Sequence, residues 1–494
     1  MPEREVKLAA TPSFRLPALD DLVEGMDAVV AEPRQLSATY FDTDDLRLAR
    51  WGVSLRRRTG EGWTVKLPVQ AEGAFLAREE LNFPGPDGRP PEAAVNLVRA
   101  YSRTAPLHPQ ARLRTVRRGI ELRDPQGRIL AELLDDEVSV LDGRRIAMRF
   151  RELEVEATDN TPPGLLDEVT TRLRAAGAVA ADATPKVARA LGPGASAPPD
   201  VCVPKLLAGA TAGEAVRRAI AASVVRVIQH DAGMRLDRDP EDVHQARVAT
   251  RRLRSDLRTF RGLVEPEWAA GLRAELGWLA DVLGMVRDRD VMLQRMRRRA
   301  EGLPEPSRRR VAAVLATLQT DRTQAQAELV GALRGARYVG LLDSLVEAAN
   351  VPVLLPEADN PAREVLPRLV QRPLRALTRQ VRTLHGTPSE EDLHQIRIGA
   401  KRVRYAAEAV TPVVGRRARA LARAATGLQE VLGEHQDAVV AEQWLRAWAQ
   451  KSRSVAAAFT AGELAGLERA AAEEARAHWR RAWRSFSDGL GGWV

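Results

Sequence analysis

The sequence predicts an α+β chain in two parts. An antiparallel β region comes first, and an all-α region made of a duplicated helical bundle follows. Three observations carry this. Short runs with period-two alternation recur up to about residue 160: EREVKL, VSLRRR, WTVKLP, AREELNF, RTVRRGIEL, RILAELLDD and RELEVEA. Beyond LGPGASAPPDVCVP (191–204), rich in Gly, Pro, Ala and Ser, strand patterns vanish and a period near 3.6 takes over. Finally, EDVHQARVATRRLRSDLRTF (241–260) returns 150 residues later as EDLHQIRIGAKRVRYAAEAV (391–410).

In the first part, turn signals GEG, PGPDGRP, DPQG and LDGR separate several of the alternating runs, as between antiparallel strands. LPALDDLVEGM (16–26), PEAAVNLVRAY (91–101) and TPPGLLDEVTTRLRAAG (161–177) read as helices. On strand geometry Glu3, Glu5 and Lys7 point one way. Glu152, Glu154 and Glu156 form a second acidic row, and Glu132 shares a side with Asp136. Basic rows lie between: Arg56 with Arg58, then Lys66, then Arg78 with Glu80. In RTVRRGIEL, Val116, Ile120 and Leu122 mark the packed face, and Thr115, Arg117 and Glu121 the polar one. A slip of one residue would exchange Arg117 for Arg118 and Asp136 for Asp135.

In the second part, GEAVRRAIAASVVRVIQH and AELGWLADVLGMVRDRDVMLQRM are long helical patterns, and VPVLLPEADNP (351–361) interrupts them near the middle. LADVLGMVRD (279–288) matches LQEVLGEHQD (428–437) across that break. Two paired segments at nearly one spacing imply a repeated helical unit of about 150 residues. The expected domains are 1–195, a linker at 196–204, and 205–494 with repeats at about 205–350 and 362–494.

Composition narrows the function. The chain has 494 residues and net charge +9, with 45% hydrophobic residues. Residues 1–200 carry 28 Lys+Arg against 31 Asp+Glu, so the basic excess lies wholly in the remainder. An anionic partner is expected there. The start MPEREVKL has no apolar signal region, no run of about 18 apolar residues occurs, and Cys202 is the one cysteine. A reducing, cytoplasmic setting without membrane insertion is the expectation.

On a helical wheel His244, Arg247, Arg251, Arg254 and Arg258 fall within an arc of about 80°. His394, Arg397, Lys401 and Arg404 repeat the pattern. Ala246, Thr250, Leu253, Leu257 and Phe260 seam the opposite side of the first helix. Exposed helix faces usually mix charge signs, because like charges at i,i+4 repel; these ridges hold almost no acid. Facing each other, they would make a cationic groove for a repeating polyanion. Base readers need stacking aromatics. Aromatics are only 4% of the chain, and Tyr405 alone stands beside the ridges, so sequence-specific nucleic acid is not the expected guest.

HQARVATRRLR (244–254), HQIRIGAKRVR (394–404) and the segments 283–288 and 432–437 resemble the CHAD family. The second of those segments reads QD where the first reads RD. The resemblance covers 205–494. It implies two helical bundles with pseudo-two-fold symmetry around a basic cavity, and inorganic polyphosphate as ligand. Polyphosphate granules are then a further place where the protein would gather.

So many charges on one face of a sheet must meet solvent or enclose something charged, as the lumen of a barrel does. Converging carboxylates need cations to stay ionised; hard oxygen ligands suit Mg²⁺ or Mn²⁺, and Arg and Lys suit phosphate. The ExExK run of Glu3, Glu5 and Lys7 resembles the hallmark of the CYTH, or triphosphate tunnel metalloenzyme, family. Arg56, Arg58 and Lys66 match its next strands. Arg78, Glu80, Arg117, Asp136, Glu152 and Glu154 fall where later strands supply tunnel residues, and Lys186 in TPKVARAL matches a basic residue after the last long helix. The resemblance implies an eight-stranded antiparallel tunnel that binds triphosphates with a divalent metal.

The expected function is a Mg²⁺- or Mn²⁺-dependent hydrolysis of inorganic triphosphate, joined to polyphosphate binding. Glu3, Glu5, Glu152 and Glu154, with Asp136, are the expected metal ligands. Lys7, Arg56, Arg58, Lys66, Arg78, Arg117 and Lys186 are expected on the phosphates. The sequence does not choose between a lumen carboxylate and Lys7 as proton acceptor. An enzyme for an organic triphosphate (a thiamine triphosphatase or an adenylate cyclase) and a non-enzymatic polyphosphate tether are the alternatives.

Overall fold

The computed structural model describes residues 5–20, 22–23, 25–68, 78–181, 186–384, 386–490 and 493, with Arg78 described in its backbone alone. Glu3 and the Arg78 side chain therefore lie outside the described residues. The chain divides into two compact units, Met1–Asp200 and Val201–Val494.

The first unit runs β1 (Glu5–Ala10), β2 (Asp27–Val30), β3 (Arg34–Asp42), α1 (Arg47–Arg50), β4 (Ser54–Arg58), β5 (Gly62–Pro68), β6 (Arg78–Phe83), α2 (Glu92–Leu97), α3 (Arg99–Ser102), β7 (His108–Arg123), β8 (Ile129–Asp142), β9 (Arg145–Ala157), α4 (Leu165–Ala175), β10 (Val179–Ala180) and α5 (Lys186–Leu191). The sheet order is β10-β1-β9-β8-β7-β3-β4-β5-β6, with β2 also on β7, and every described ladder is antiparallel. Among the described residues the strands number ten rather than eight. The two additions are short: β2 has four residues and β10 two.

Period-two alternation builds two layers from the same strands. Leu8 of β1, Ile120 and Leu122 of β7, Leu133 of β8, and Leu153 and Val155 of β9 turn outward, under Leu165, Val169 and Leu173 of α4. At about 25 cal/mol per Å² of apolar surface, that layer drives the sheet to keep its register. Its polar side is thereby fixed inward.

Residues 16–20, 22–23 and 25–26 are not helical, contrary to the periodicity. Leu19 and Met26 are still buried in the core. Gly25 holds φ +73°, a left-handed conformation, and Asp20 Oδ1 accepts from Ala28 N, so local side-chain and backbone choices compete with a helix. The start of the expected linker is tied down as well: Arg50 Nε donates to Pro198 O at 2.8 Å and Trp51 Nε1 to Asp200 Oδ1 at 2.8 Å.

The second unit is α6 (Ala212–Leu236), α7 (Pro240–Thr259), α8 (Pro266–Glu301), α9 (Glu305–Arg334), α10 (Ala336–Asn350), α11 (Ala362–Arg382), α12 (Glu390–Val414), α13 (Arg416–Lys451) and α14 (Val455–Asp488). Capping defines the two ridge helices. Asp239 caps α7 with Pro240 in its first turn, and Ser389 with Asp392 forms a capping box on α12. A 3₁₀ turn, Pro356–Asp359, lies between the repeats. Among the described residues the first repeat has five α-helices and the second four, with no counterpart to α10.

Candidate functional site

The first unit encloses a cavity of about 250 Å³. Glu5 and Lys7 of β1 line it, with Arg56 and Arg58 of β4, Lys66 of β5, Glu80 of β6, Arg117 of β7, Asp136 of β8, Glu154 and Glu156 of β9, and Lys186 of α5. Strands from both ends of the sheet order thus converge on one space, although among the described residues no ladder joins β6 to β1. Tyr40, Ser54 and Thr115 also line it; the sequence reading did not single out Tyr40 or Ser54.

Register explains the contacts. Lys7 lies opposite Glu154, Glu5 opposite Glu156, and Arg117 opposite Asp136. Lys7 Nζ is 2.7 Å from Glu154 Oε1 and 3.2 Å from Glu5 Oε1. Arg117 makes a fork on Asp136, Nε to Oδ1 and Nη2 to Oδ2, both 2.7 Å. Lys186 Nζ reaches Asp136, Glu152 Oε2 at 3.5 Å and Glu154 Oε1 at 3.3 Å. Lys66 and Arg56 both pair with Glu80. The neighbouring residues face out: Arg118 bonds Glu137 at 2.8 Å, and Asp135 is gripped by Arg151.

The charges tune one another. Burial would raise the Glu154 carboxyl, but Lys186, Lys7 and Arg117 outweigh it and bring it down to about 2. Asp136 is lowered in the same way, against burial, by Arg117 and Lys186. Burial works against the Lys186 ammonium, yet Glu154, Asp136 and Glu152 raise it. Burial prevails at Glu152, which is raised despite Lys186 and Arg189.

Glu5, Glu154 and Glu156 can each offer one carboxylate oxygen, all within 4.8 Å of one another, an acidic cluster fit for a hard divalent cation. This set differs from the expected one. Arg117 takes both oxygens of Asp136, whereas Glu154, which Lys7, Lys186 and Arg117 also reach, stands within 4.8 Å of Glu5 and Glu156. Glu152 does not line the cavity; it is buried, with Arg189 Nη1 3.0 Å from one oxygen. Glu156, left outside the leading set by the sequence reading, takes their place. On the opposite wall, Arg56 Nε and Arg58 Nε are buried without a hydrogen-bond partner. That suits an anion lying against β4.

The second unit holds a cavity of about 570 Å³ between α7, α8, α12 and α13. His244, Arg247, Arg251, Arg397 and Lys401 line it as the ridges predict. Arg254, Arg258, His394 and Arg404 do not. Arg254 packs over Gly277, Arg258 sits near Arg402 and Arg273, His394 Nδ1 is 2.7 Å from Gln436 Oε1, and Arg404 reaches Gln429 and Glu408. Arg287 and Arg295 of α8 add cations the helical wheel could not supply, and Asp288 and Asp437 are the lining carboxylates. The RD and QD ends of segments 279–288 and 428–437 were the sequence signal for Arg287, Asp288 and Asp437; Arg295 had none.

Arg247 donates to Asp288 at 2.6 Å, and Arg295 is held by Glu434 and Glu468. Arg251, Arg287, Arg397 and Lys401 form no ion pair or hydrogen bond among the described residues. Burial, then Arg251 and Arg397, push the Lys401 ammonium down to about 7, against the pull of Asp437. Arg247 Nε and Arg397 Nε are buried and unsatisfied. The cavity is short of negative charge.

The bore of facing acids and bases in the first unit is that of a CYTH domain. The CYTH domain family matches residues 1–187, and the CHAD domain family matches residues 218–446. CYTH domains point to the triphosphate tunnel metalloenzymes, a generally enzymatic, divalent-metal-dependent superfamily. Two curated proteins of Mycobacterium tuberculosis extend the match along the chain: Rv2226 of strain ATCC 25618 / H37Rv and MT2285 of strain CDC 1551 / Oshkosh. Each is 33% identical over 496 residues, covering 93% of this chain and 88% of the relative. The chain belongs to their family, a CYTH domain followed by a CHAD domain. Among solved structures, it is similar to PptA from Streptomyces chartreusis (25% identity, TM-score 0.47, 56% of this chain and 100% of that one). It is also similar to the CHAD domain from the plant Ricinus communis (25% identity, TM-score 0.45, 59% and 96%). No described helix is long and apolar enough to cross a membrane.

Proposed function

We propose that the protein hydrolyses inorganic triphosphate in the first unit, with Mg²⁺ or Mn²⁺, and binds inorganic polyphosphate in the second. One observation carries the enzymatic reading: the cluster of Glu5, Glu154 and Glu156 shares a single cavity of about 250 Å³ with six cationic side chains. Carboxylates alone would suit a metal, and cations alone an anion. Both together suit a metal-complexed phosphate chain.

Glu5, Glu154 and Glu156 would hold the divalent ion, which when bound polarises phosphoryl oxygens. Arg56 and Arg58 offer their free Nε–H groups to phosphate. Asp136 and Glu152 serve as positioning residues: they hold Arg117 and Lys186 in place to stabilise charge on the leaving pyrophosphate. Lys7, engaged by Glu5 and Glu154, keeps its proton and acts as a cation rather than as a proton acceptor. Water attacks the terminal phosphorus in line, the bond from that phosphorus to the pyrophosphate oxygen breaks, and the proton the water loses passes to a lumen carboxylate.

In the second unit, Arg251, Arg287, Arg397 and Lys401, which form no ion pair among the described residues, offer their charge to a polyanion, with counterion release favouring binding. Association with polyphosphate granules follows from that affinity.

The test is phosphate release from inorganic triphosphate, ATP and thiamine triphosphate, with and without Mg²⁺ or Mn²⁺. Metal-dependent release, fastest from inorganic triphosphate, is expected. Cyclic AMP as a product, or release unchanged in Glu5→Ala, would overturn the assignment.

A further inference from the structure

The second repeat carries a cationic row that the cavity does not use. On α11, Arg368, Arg372, Arg375, Arg379 and Arg382 follow one another at intervals of four, three, four and three residues. They fall within an arc of about 80° and span roughly 21 Å of helix. All five are exposed. None forms an ion pair among the described residues, and the one described hydrogen bond within the row is Arg375 to Gln371 at 3.4 Å.

An ordinary solvated face interleaves acids, because like charges three or four residues apart repel. Here Glu364, at the first turn, is the single acid of the helix. The helix dipole favours cations only toward the C-terminal end, which accounts for Arg379 and Arg382 and not for the rest. Duplication does not account for the row either. At an offset of 150, α6 carries Arg218, Ala222, Val225, Gln229 and Ala232.

The row also faces away from the cavity already described. Leu366, Val370, Leu374 and Leu377 of α11 are buried, and Leu377 meets α12 at Gly399, where a Cβ would come 2.8 Å from Leu377 Cδ1. The cavity is lined from α12 by Arg397, Lys401 and Tyr405. Packed helix axes stand about 8–10 Å apart, so α12 separates two anion-attracting surfaces.

We propose that this row is a second contact for the same polyphosphate chain, engaged when the chain is longer than the cavity can hold. This rests on the polyphosphate reading of the second unit and adds a site to it. On α11 itself and its C-cap, the other exposed residues are Arg363, Glu364, Ala376 and Thr383. No aromatic stands among them to stack on a base, and no large apolar side chain to enter a lipid surface. A flexible chain of phosphates, which needs neither, fits what is present. Once its first part is held in the cavity, the rest meets the row at high effective concentration.

The test titrates the full-length protein with two polyphosphates, one short enough for the cavity and one several times longer, at a series of salt concentrations. The variant R368Q/R372Q/R375Q/R379Q changes exposed side chains to a residue of similar helix propensity. It should bind the short chain as the unaltered protein does. It should bind the long chain at least about tenfold more weakly, and its salt slope should shrink by about three to four. Unchanged affinity and slope for the long chain would overturn the proposal. So would duplex DNA or anionic vesicles displacing the long chain from the row at equal charge concentration. If the unaltered protein fails to bind the short chain, the cavity reading fails. If the variant still loses long-chain binding in that case, the row stands by itself.

Discussion

The two cavities meet phosphate chemistry with opposite electrostatics. In the sheet, nearly every charge has its partner before any ligand arrives: Lys7 with Glu5 and Glu154, Arg117 with Asp136, Lys66 with Glu80. In the helical cavity Arg251, Arg287, Arg397 and Lys401 stand without an ion pair among the described residues. One group in each registers the difference. The Glu154 carboxyl, among ammonium and guanidinium groups, falls to about 2. The Lys401 ammonium, buried beside Arg251 and Arg397, falls to about 7. Paired charges hold fixed positions, which suits positioning chemistry. Unpaired ones store repulsion that an anion relieves, which suits binding.

The comparison breaks most sharply at Glu5. Glu5→Ala removes a member of the acidic cluster and one of the two carboxylates on Lys7. Triphosphate hydrolysis should fall at least about a hundredfold, while polyphosphate binding by the second unit stays as it was. Parallel phosphate-release and titration measurements check both halves. A smaller loss is expected from R251Q/K401Q: short-chain polyphosphate affinity should drop by about ten- to a hundredfold, with the salt slope reduced by about two. Hydrolysis should not change.

A gentler probe is pH. Lys401 binds an anion best when charged, so affinity for a short polyphosphate should decline as pH rises through about 7, by at most about tenfold per pH unit. K401R keeps the charge, so it should remove the part of the dependence owed to Lys401. The stability of the ligand-free protein should move the other way. The folded value lies below the unfolded one of about 10.4, so the unfolded chain holds more protons between them. The contribution of Lys401 to stability therefore rises with pH across the window from about 7 to about 10. Thermal midpoints against pH, with K401R as reference, test the sign.

What the sequence disclosed depended on how local the cause was. Period two alone turns Glu5, Lys7, Arg56, Arg58 and Arg117 to one face, because the pleat needs no tertiary knowledge. The wheel likewise gathers His244, Arg247 and Arg251. It cannot say how far along the ridge the cavity reaches: Arg254 lies over Gly277 instead. Nor can it supply Arg287 and Arg295, which arrive from another helix. Metal ligands are harder still: Asp136 and Glu156 both line the cavity, but Arg117 and Lys186 hold Asp136 while Glu156 stands with Glu5 and Glu154. The segment at 16–26 misled because apolar spacing is not unique to helices: its described residues are non-helical, and Leu19 and Met26 reach the core with Leu16, Leu22 and Val23 packed beside them.

A single step along β7 separates an arginine of the cavity from one of the outer face. Arg117 and Arg118 are adjacent on β7, equal in charge, and separated only by the pleat. Arg117 lies inside, forked onto Asp136, with Glu154 Oε2 3.4 Å away. Arg118 lies outside, bonded to Glu137 and 3.7 Å from Asp135, which Arg151 already satisfies. Arg117→Gln leaves the buried Asp136 with Lys186 alone and should slow hydrolysis at least about tenfold. Arg118→Gln loses a half-exposed ion pair of little worth: stability should change by less than about 1 kcal/mol, and hydrolysis by less than twofold. Steady-state kinetics on both variants reads the register directly. Equal losses would mean that β7 presents neither arginine to the bore, and the paired-charge character assigned to the sheet cavity would go with it.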